Sequence, residues 1–194
     1  MKLYVIRHGE SETNRTGCYT GWMQIPLTEK GFEDADNIRP FLENIEFDKV
    51  YTSDLIRAKQ TAETALPGCT YEETPLLREI NLGSLSGQNI AACREKYGAE
   101  LVECKVNSDY RRYGGECYAD FAGRINTFLA DVASSGHSCV AAFSHAGAMR
   151  TVLDSVLKMR LPRDIIRCKN CTIAIFEYVD GKWYFNSWIN TSKA

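Results

Sequence analysis

Leu3-Tyr4-Val5-Ile6-Arg7-His8-Gly9-Glu10-Ser11-Glu12-Thr13-Asn14 is the stretch that decides the architecture. Leu3 to Ile6 is an apolar run that begins almost at the first residue and stops abruptly at a cation and an imidazole. Such a run reads as a buried strand. In open α/β sheets, ligands bind where strands give way to loops. His8 is delivered to such a place beside a fixed positive charge, which suits chemistry on an anion. Gly9 lets the chain turn sharply there.

Working outward, strand-like and helix-like segments alternate. A polar loop runs to about residue 27, and Thr28 then looks like a helix N-cap. Phe32, Ala35, Ile38, Leu42 and Ile45 follow as a helical stripe that Pro40 should kink or split. Residues 49–52 predict a strand, and Ser53 is expected to cap a helix over 54–66. A loop over 79–87 precedes helices near 88–97 and 116–133. Cys139 to Phe143 predicts a second buried strand, followed by a helix over 146–158. The tail predicts a hairpin, 172–178 and 182–188, around Asp180-Gly181. This alternation predicts an α/β fold: a three-layer α/β/α sandwich on a mostly parallel sheet, one domain over residues 1–194.

Composition narrows the function. The 194 residues carry a net charge of −2, with 44% hydrophobic and 25% charged content. That balance lacks the basic field nucleic acid would attract. No apolar run reaches membrane-spanning length and no export signal is apparent, so a cytoplasmic location is expected. Eight cysteines are then expected to be reduced thiols. Cys168-Lys169-Asn170-Cys171 has no second close-spaced pair to complete a zinc site, so it reads as incidental.

Three strand-to-helix junctions hold the polar residues: Arg7-His8, Ser53-Asp54 leading to Arg57, and Ser144-His145. If the strands are neighbours, Arg7, His8, Arg57 and His145 converge in one crevice. Two guanidinium forks and helix N-termini there would bind a phosphate.

The ordered motifs carry a resemblance. They are Val5-x-Arg7-His8-Gly9-Glu10-x-x-x-Asn14, Tyr19-Thr20-Gly21-Trp22, Pro26-Leu27-Thr28-Glu29-Lys30-Gly31 and Tyr51-Thr52-Ser53-Asp54-Leu55-x-Arg57-Ala58-x-Gln60-Thr61-Ala62. Leu77-Arg78-Glu79-Ile80-Asn81-Leu82-Gly83, Gly114-Gly115-Glu116 and Ser144-His145 follow. Over nearly its whole length the chain resembles the histidine phosphatase superfamily, in its phosphoglycerate-mutase-like branch.

The resemblance implies that His8 is a nucleophile forming a phosphohistidine, with Glu79 as general acid and His145 as a second catalytic histidine. Arg7, Asn14, Arg57 and Gly21 would bind the phosphate. Cationic neighbours would keep His8 neutral and nucleophilic. No metal or other cofactor is implied, because arginines and histidine supply the positive charge.

Trp22 either walls the mouth of the site or packs beneath the loop. Glu116 either caps the next helix or reaches the rim, and capping is the preferred reading. Arg111 and Arg112 sit where the family places part of its substrate lid, either binding a second anionic group or forming a solvated basic pair. His137 reads as a surface loop residue.

Longer mutases of the family carry Tyr-Gly after the acidic motif, then a Lys, and an Asn soon after the second His. Here those places read Leu82-Gly83, Ile90 and Ala146-Gly147. Losing those polar grips favours water as phosphoryl acceptor. The expected function is metal-independent hydrolysis of small phosphorylated metabolites, releasing inorganic phosphate. A mutase-type transferase and a non-catalytic phospholigand binder are the alternatives. The sequence fixes no oligomeric state.

Overall fold

Lys2–Arg7 forms β1 at the centre of a six-stranded sheet. The computed structural model describes residues 1–162 and 165–191. After β1 come α1 (Glu12–Thr16), α2 (Glu29–Asn37), α3 (Arg39–Leu42), β2 (Lys49–Ser53), α4 (Ile56–Ala65) and β3 (Glu72–Thr74). The chain continues through α5 (Ile90–Asn107), α6 (Tyr118–Ser134), β4 (Cys139–Ser144), α7 (Ala146–Leu157), β5 (Ile173–Val179) and β6 (Lys182–Ile189). The sheet order is β3-β2-β4-β1-β5-β6. Pairs β3·β2, β2·β4 and β4·β1 are parallel, whereas β5 and β6 add antiparallel. The hairpin closes through Asp180 and Gly181, both at positive φ (49° and 78°), the pattern of a turn that matches strand twist.

Strand alternation builds the layers. Leu3, Val5, Val140 and Ala142 face Phe121, Ile125 and Phe128 of α6 and Met149 and Val152 of α7. Ile6, Ala141 and Phe143 face the other way, onto Ala35 of α2, Leu42 of α3 and Ala62 and Ala65 of α4. Both faces of β1 and β4 are thus covered, which explains their unbroken apolar character. A separate small cluster of Leu82, Leu85, Cys93, Leu101, Cys104 and Tyr110 packs beneath α5.

Several elements differ from the sequence reading. Pro40 does split the first stripe, standing in the first turn of α3. Residues 12–16 form a short helix rather than loop, and β3 pairs with β2 where no strand was expected. The cap of α4 is Leu55, not Ser53, and the first amide, Ile56 N–H, donates 2.8 Å to Gln24 Oε1. α5 runs ten residues past the expected end because it resumes after a break at Gly98 (φ 50°, ψ −124°). Glu116 does not cap α6; that helix begins after Cys117, and Glu116 pairs with Arg124. Among the described residues, no helix is long and apolar enough to cross a membrane.

Candidate active site

The parallel pairing of β1 and β4 sets Arg7 opposite Ser144, so His8 and His145 leave the sheet side by side. His8 N–H donates 3.0 Å to Ser144 O. The two rings meet edge to face with centroids 5.1 Å apart. On the other side of β4, Ser53 ends β2 and its hydroxyl lies 2.9 Å from His145 Nε2. That contact accounts for Ser53, which the capping reading had assigned elsewhere. Arg57 enters from the first turn of α4 and is fully buried.

His8 is held in one tautomer. Its Nδ1 lies 2.7 Å from Gly9 O, and a carbonyl only accepts, so the proton sits on Nδ1. Nε2 then carries the lone pair, and Arg57 Nε donates to it over 3.3 Å. Burial chiefly, then the charges of Arg57 and Arg7, hold the His8 pKa well below the usual imidazole range. The result is a neutral imidazole with an unprotonated Nε2 among cations. Gly9 is required there: a β-carbon would stand 2.3 Å from Gly31 O. His145 is likewise kept neutral, mainly by burial and then by Arg57. Its Nδ1 has no partner among the described residues.

The phosphate-binding candidates surround this pair. Arg57 Nη1 donates 2.9 Å to Met23 O and Nη2 donates 3.0 Å to Gly21 O. Gly21 therefore tethers the guanidinium through its carbonyl. Burial lowers the Arg57 pKa to about 10, which leaves it charged at neutral pH. Arg7 Nη1 donates to Cys168 O, while its buried Nε has no partner among the described residues. Asn14 Oδ1 accepts from Ser11 N–H at 3.2 Å and from Asn170 Nδ2 at 3.3 Å.

Glu79 closes the arrangement. Its Oε1 accepts from Ile80 N–H (2.9 Å) and its Oε2 from Gly147 N–H (3.0 Å), in the first turn of α7. The Glu79 carbonyl takes Trp22 Nε1–H at 2.6 Å and Arg124 Nη2–H at 2.8 Å. Arg124 also donates to Leu76 O, Arg78 O and both Glu116 oxygens, and Glu116 Oε2 accepts from Asn81 N–H. Trp22 is therefore a support for the acidic loop, stacked against Arg78 at 4.7 Å. It is not among the residues that line the cavity.

A cavity of about 250 Å³ joins these groups. Arg7, His8, Asn14, Gly21, Arg57 and Glu79 line it together with Tyr19, Leu82, Lys105, Tyr110, Phe121 and Arg150. His145 packs directly behind His8. Arg111 and Arg112 are not brought to this cavity. Asp109 captures Arg111 with two bonds of 2.9 and 2.6 Å, and Glu100 lies 3.2 Å from Arg112.

The additional cations at the cavity are Lys105 and Arg150, which the sequence reading missed. Arg150 was detectable, being three and four residues past Gly147 and Ala146 on one helix face. Lys105 lay beyond the expected end of its helix. A larger hollow of about 780 Å³, near the start of β2 and the end of α4, contains none of these catalytic candidates. Among the described residues, no group of three or more His, Cys, Asp or Glu is arranged to hold a metal.

Comparison with known proteins identifies the family and the fold. The sequence pattern of the histidine phosphatase superfamily (branch 1) matches residues 3–191. A 2,3-bisphosphoglycerate-dependent phosphoglycerate mutase of Methylobacterium radiotolerans is 34% identical, with 82% of each chain covered. The crystal structure of a phosphoglycerate mutase from Bacillus anthracis is similar at a TM-score of 0.83 and 25% identity, covering 96% of this chain and 92% of that one. The alpha-ribazole phosphatase of Shigella flexneri shares the fold at a TM-score of 0.85 and 24% identity, covering 100% and 98%.

Proposed function

Because this chain belongs to the histidine phosphatase superfamily, branch 1, we propose that it hydrolyses compact phosphomonoesters through a phosphohistidine on His8. One observation carries the reading. His8 Nδ1–H is tied to Gly9 O, leaving an unprotonated Nε2 that faces Arg57 in a cavity with Arg7, Asn14 and Glu79.

In the first step Nε2 attacks phosphorus and the bond from phosphorus to the ester oxygen breaks. The electron pair leaves on that oxygen, which takes a proton from Glu79 and departs as an alcohol. Arg57 turns its Nε–H from Nε2 to a phosphoryl oxygen as the nucleophile engages. Arg7, Arg57 and the Asn14 amide then hold the charge spread over the equatorial oxygens. In the second step water attacks the phosphohistidine and gives a proton to the Glu79 carboxylate. The nitrogen–phosphorus bond breaks, its electrons return to Nε2, and inorganic phosphate leaves.

Hydrolysis is favoured over mutase transfer by three positions at which the family's longer mutases carry Tyr, Lys and Asn. Leu82, Ile90 and Gly147 offer no polar side-chain grip that would retain a phosphorylated acid for reorientation. The small cavity favours a compact substrate. Lys105 and Arg150 bring positive charge beyond the phosphate-binding set, and Lys105 has no acidic partner among the described residues. A substrate with a second anionic group suits that end.

The test is release of phosphate from p-nitrophenyl phosphate and a panel of phosphorylated metabolites, with and without EDTA. Acid-labile, His8-dependent phosphoenzyme should form. Isomerisation of 3-phosphoglycerate faster than phosphate release would overturn the hydrolase reading.

A further inference from the structure

The Cys168–Thr172 segment, which reads in the sequence as an incidental pair of cysteines, lies outside the cavity lining and braces Arg7 and His8 from behind. Cys168 O accepts from Arg7 Nη1, Cys171 N–H donates to His8 O, and Arg7 N–H donates to Thr172 O. Asn170 contributes the only side chain of this segment, among the described residues, that reaches both the His8 backbone and a phosphate-binding candidate. Its Nδ2 donates 3.1 Å to His8 O and 3.3 Å to Asn14 Oδ1.

From this juxtaposition we propose that Asn170 is a positioning residue, one that aims the Asn14 amide so that its NH2 group faces the phosphate. The proposal rests on the phosphoryl-transfer reading of the site. Its logic is a chain of forced donor and acceptor roles. Ser11 N–H is a backbone donor, so the Asn14 atom it meets must be Oδ1. His8 O is a backbone acceptor, so the Asn170 atom it meets must be Nδ2. That same Nδ2 then completes the pair of donors on Asn14 Oδ1. With Oδ1 held from two sides, Nδ2 is the Asn14 group left to donate at the cavity it lines.

Without Asn170 the Asn14 amide loses one of two restraints and rotates more freely. Losing the aim of one ordinary hydrogen bond corresponds to about five- to tenfold in affinity. Asn170→Asp is more severe at almost the same volume. A carboxylate there would oppose both His8 O and Asn14 Oδ1, and flipping the Asn14 amide to meet it would strand Ser11 N–H.

The experiment is calorimetric titration of orthovanadate, a phosphoryl mimic whose binding needs no turnover, into wild type and variants. Thermal unfolding runs alongside to confirm folding. Asn170→Ala should bind about five- to tenfold more weakly than wild type, and Asn170→Asp more weakly still. In an Asn14→Ala background, Asn170→Ala should change affinity by less than about twofold, because the amide it aims is gone. Fully additive losses would overturn the positioning role, as would wild-type affinity in Asn170→Ala. Should Asn170→Ala fail to fold, the near-isosteric Asn170→Asp decides, with wild-type affinity again overturning the proposal. Absence of vanadate binding by the wild type would instead sink the phosphoryl-transfer reading itself.

Discussion

The Glu79 carboxylate occupies the space where Gly147 lacks a side chain: Oε2 accepts from Gly147 N–H at 3.0 Å, and a β-carbon at 147 would stand 2.0 Å from Oε1. A glycine at this point of α7 is thus what lets an acid from a different loop sit on the helix N-terminus. Gly147→Ala should push Glu79 away while leaving the phosphate-binding groups in place. We expect turnover of alkyl phosphates to fall by about 10²-fold or more, the usual contribution of a positioned acid. p-Nitrophenyl phosphate, whose leaving group needs little protonation, should lose much less. Equal losses on both substrates would count against Glu79 as the acid.

His8→Ala should abolish both turnover and the acid-labile phosphoenzyme, since the imidazole nitrogen that meets Arg57 is His8 Nε2. Rapid acid quench with 32P-labelled substrate is the measurement. Phosphoenzyme surviving in the variant would place the covalent step elsewhere.

Arg124 and Glu116 are 14% and 13% exposed and bonded through both carboxylate oxygens. Removing one partner of such a pair strands a charge, so Arg124→Met should cost about 3 kcal/mol in urea unfolding. The double variant with Glu116→Leu should recover part of that loss. Its activity should stay low, because the Glu79 carbonyl would keep only the Trp22 donor and the loop would lose the Arg124 bonds to Leu76 O and Arg78 O.

Lys105→Ala should leave p-nitrophenyl phosphate kinetics nearly unchanged. It should raise KM for phosphomonoesters that carry a carboxylate or second phosphate, by about tenfold for one lost charge-assisted contact. Steady-state kinetics on matched substrates with and without the second anion make the comparison. An equal effect on both kinds would remove Lys105 from specificity.

Stability should fall as pH drops below about 6.5, the ordinary imidazole pKa. His8 and His145 have folded-state values well below that range. Between the two limits the unfolded chain binds protons that the folded chain refuses, so unfolding gains. Each histidine contributes a slope of up to about 1.4 kcal/mol per pH unit. Above pH 7 neither contributes. Urea unfolding of wild type and His8→Gln at pH 7.0 and 5.5 checks this, and the variant should show a smaller drop.

Much of the site was legible because its residues lie at strand ends. Arg7-His8 and Ser144-His145 each follow an apolar run, and parallel pairing of two such strands puts their ends together. Glu79 was legible only through the resemblance, since nothing local marks its loop as catalytic. Trp22 was ambiguous because an indole serves equally as wall or support until its N–H partner is known. The long α5 was foreshortened because Gly98 interrupts its helical conformation.

The sequence by itself determined the layered α/β architecture, the polar residues at three strand ends, and the chemistry those residues can perform. Tertiary structure decided which charges remain available to a ligand. Arg111 and Arg112 lie against Asp109 and Glu100, whereas Lys105 and Arg150 line the cavity. It also decided that Trp22, Arg124 and Asn170 contact residues far along the chain. The physical reason is directional bonding. Periodic apolar burial is written along the chain, but donors and acceptors distant in sequence are matched only after the sheet register has fixed their places.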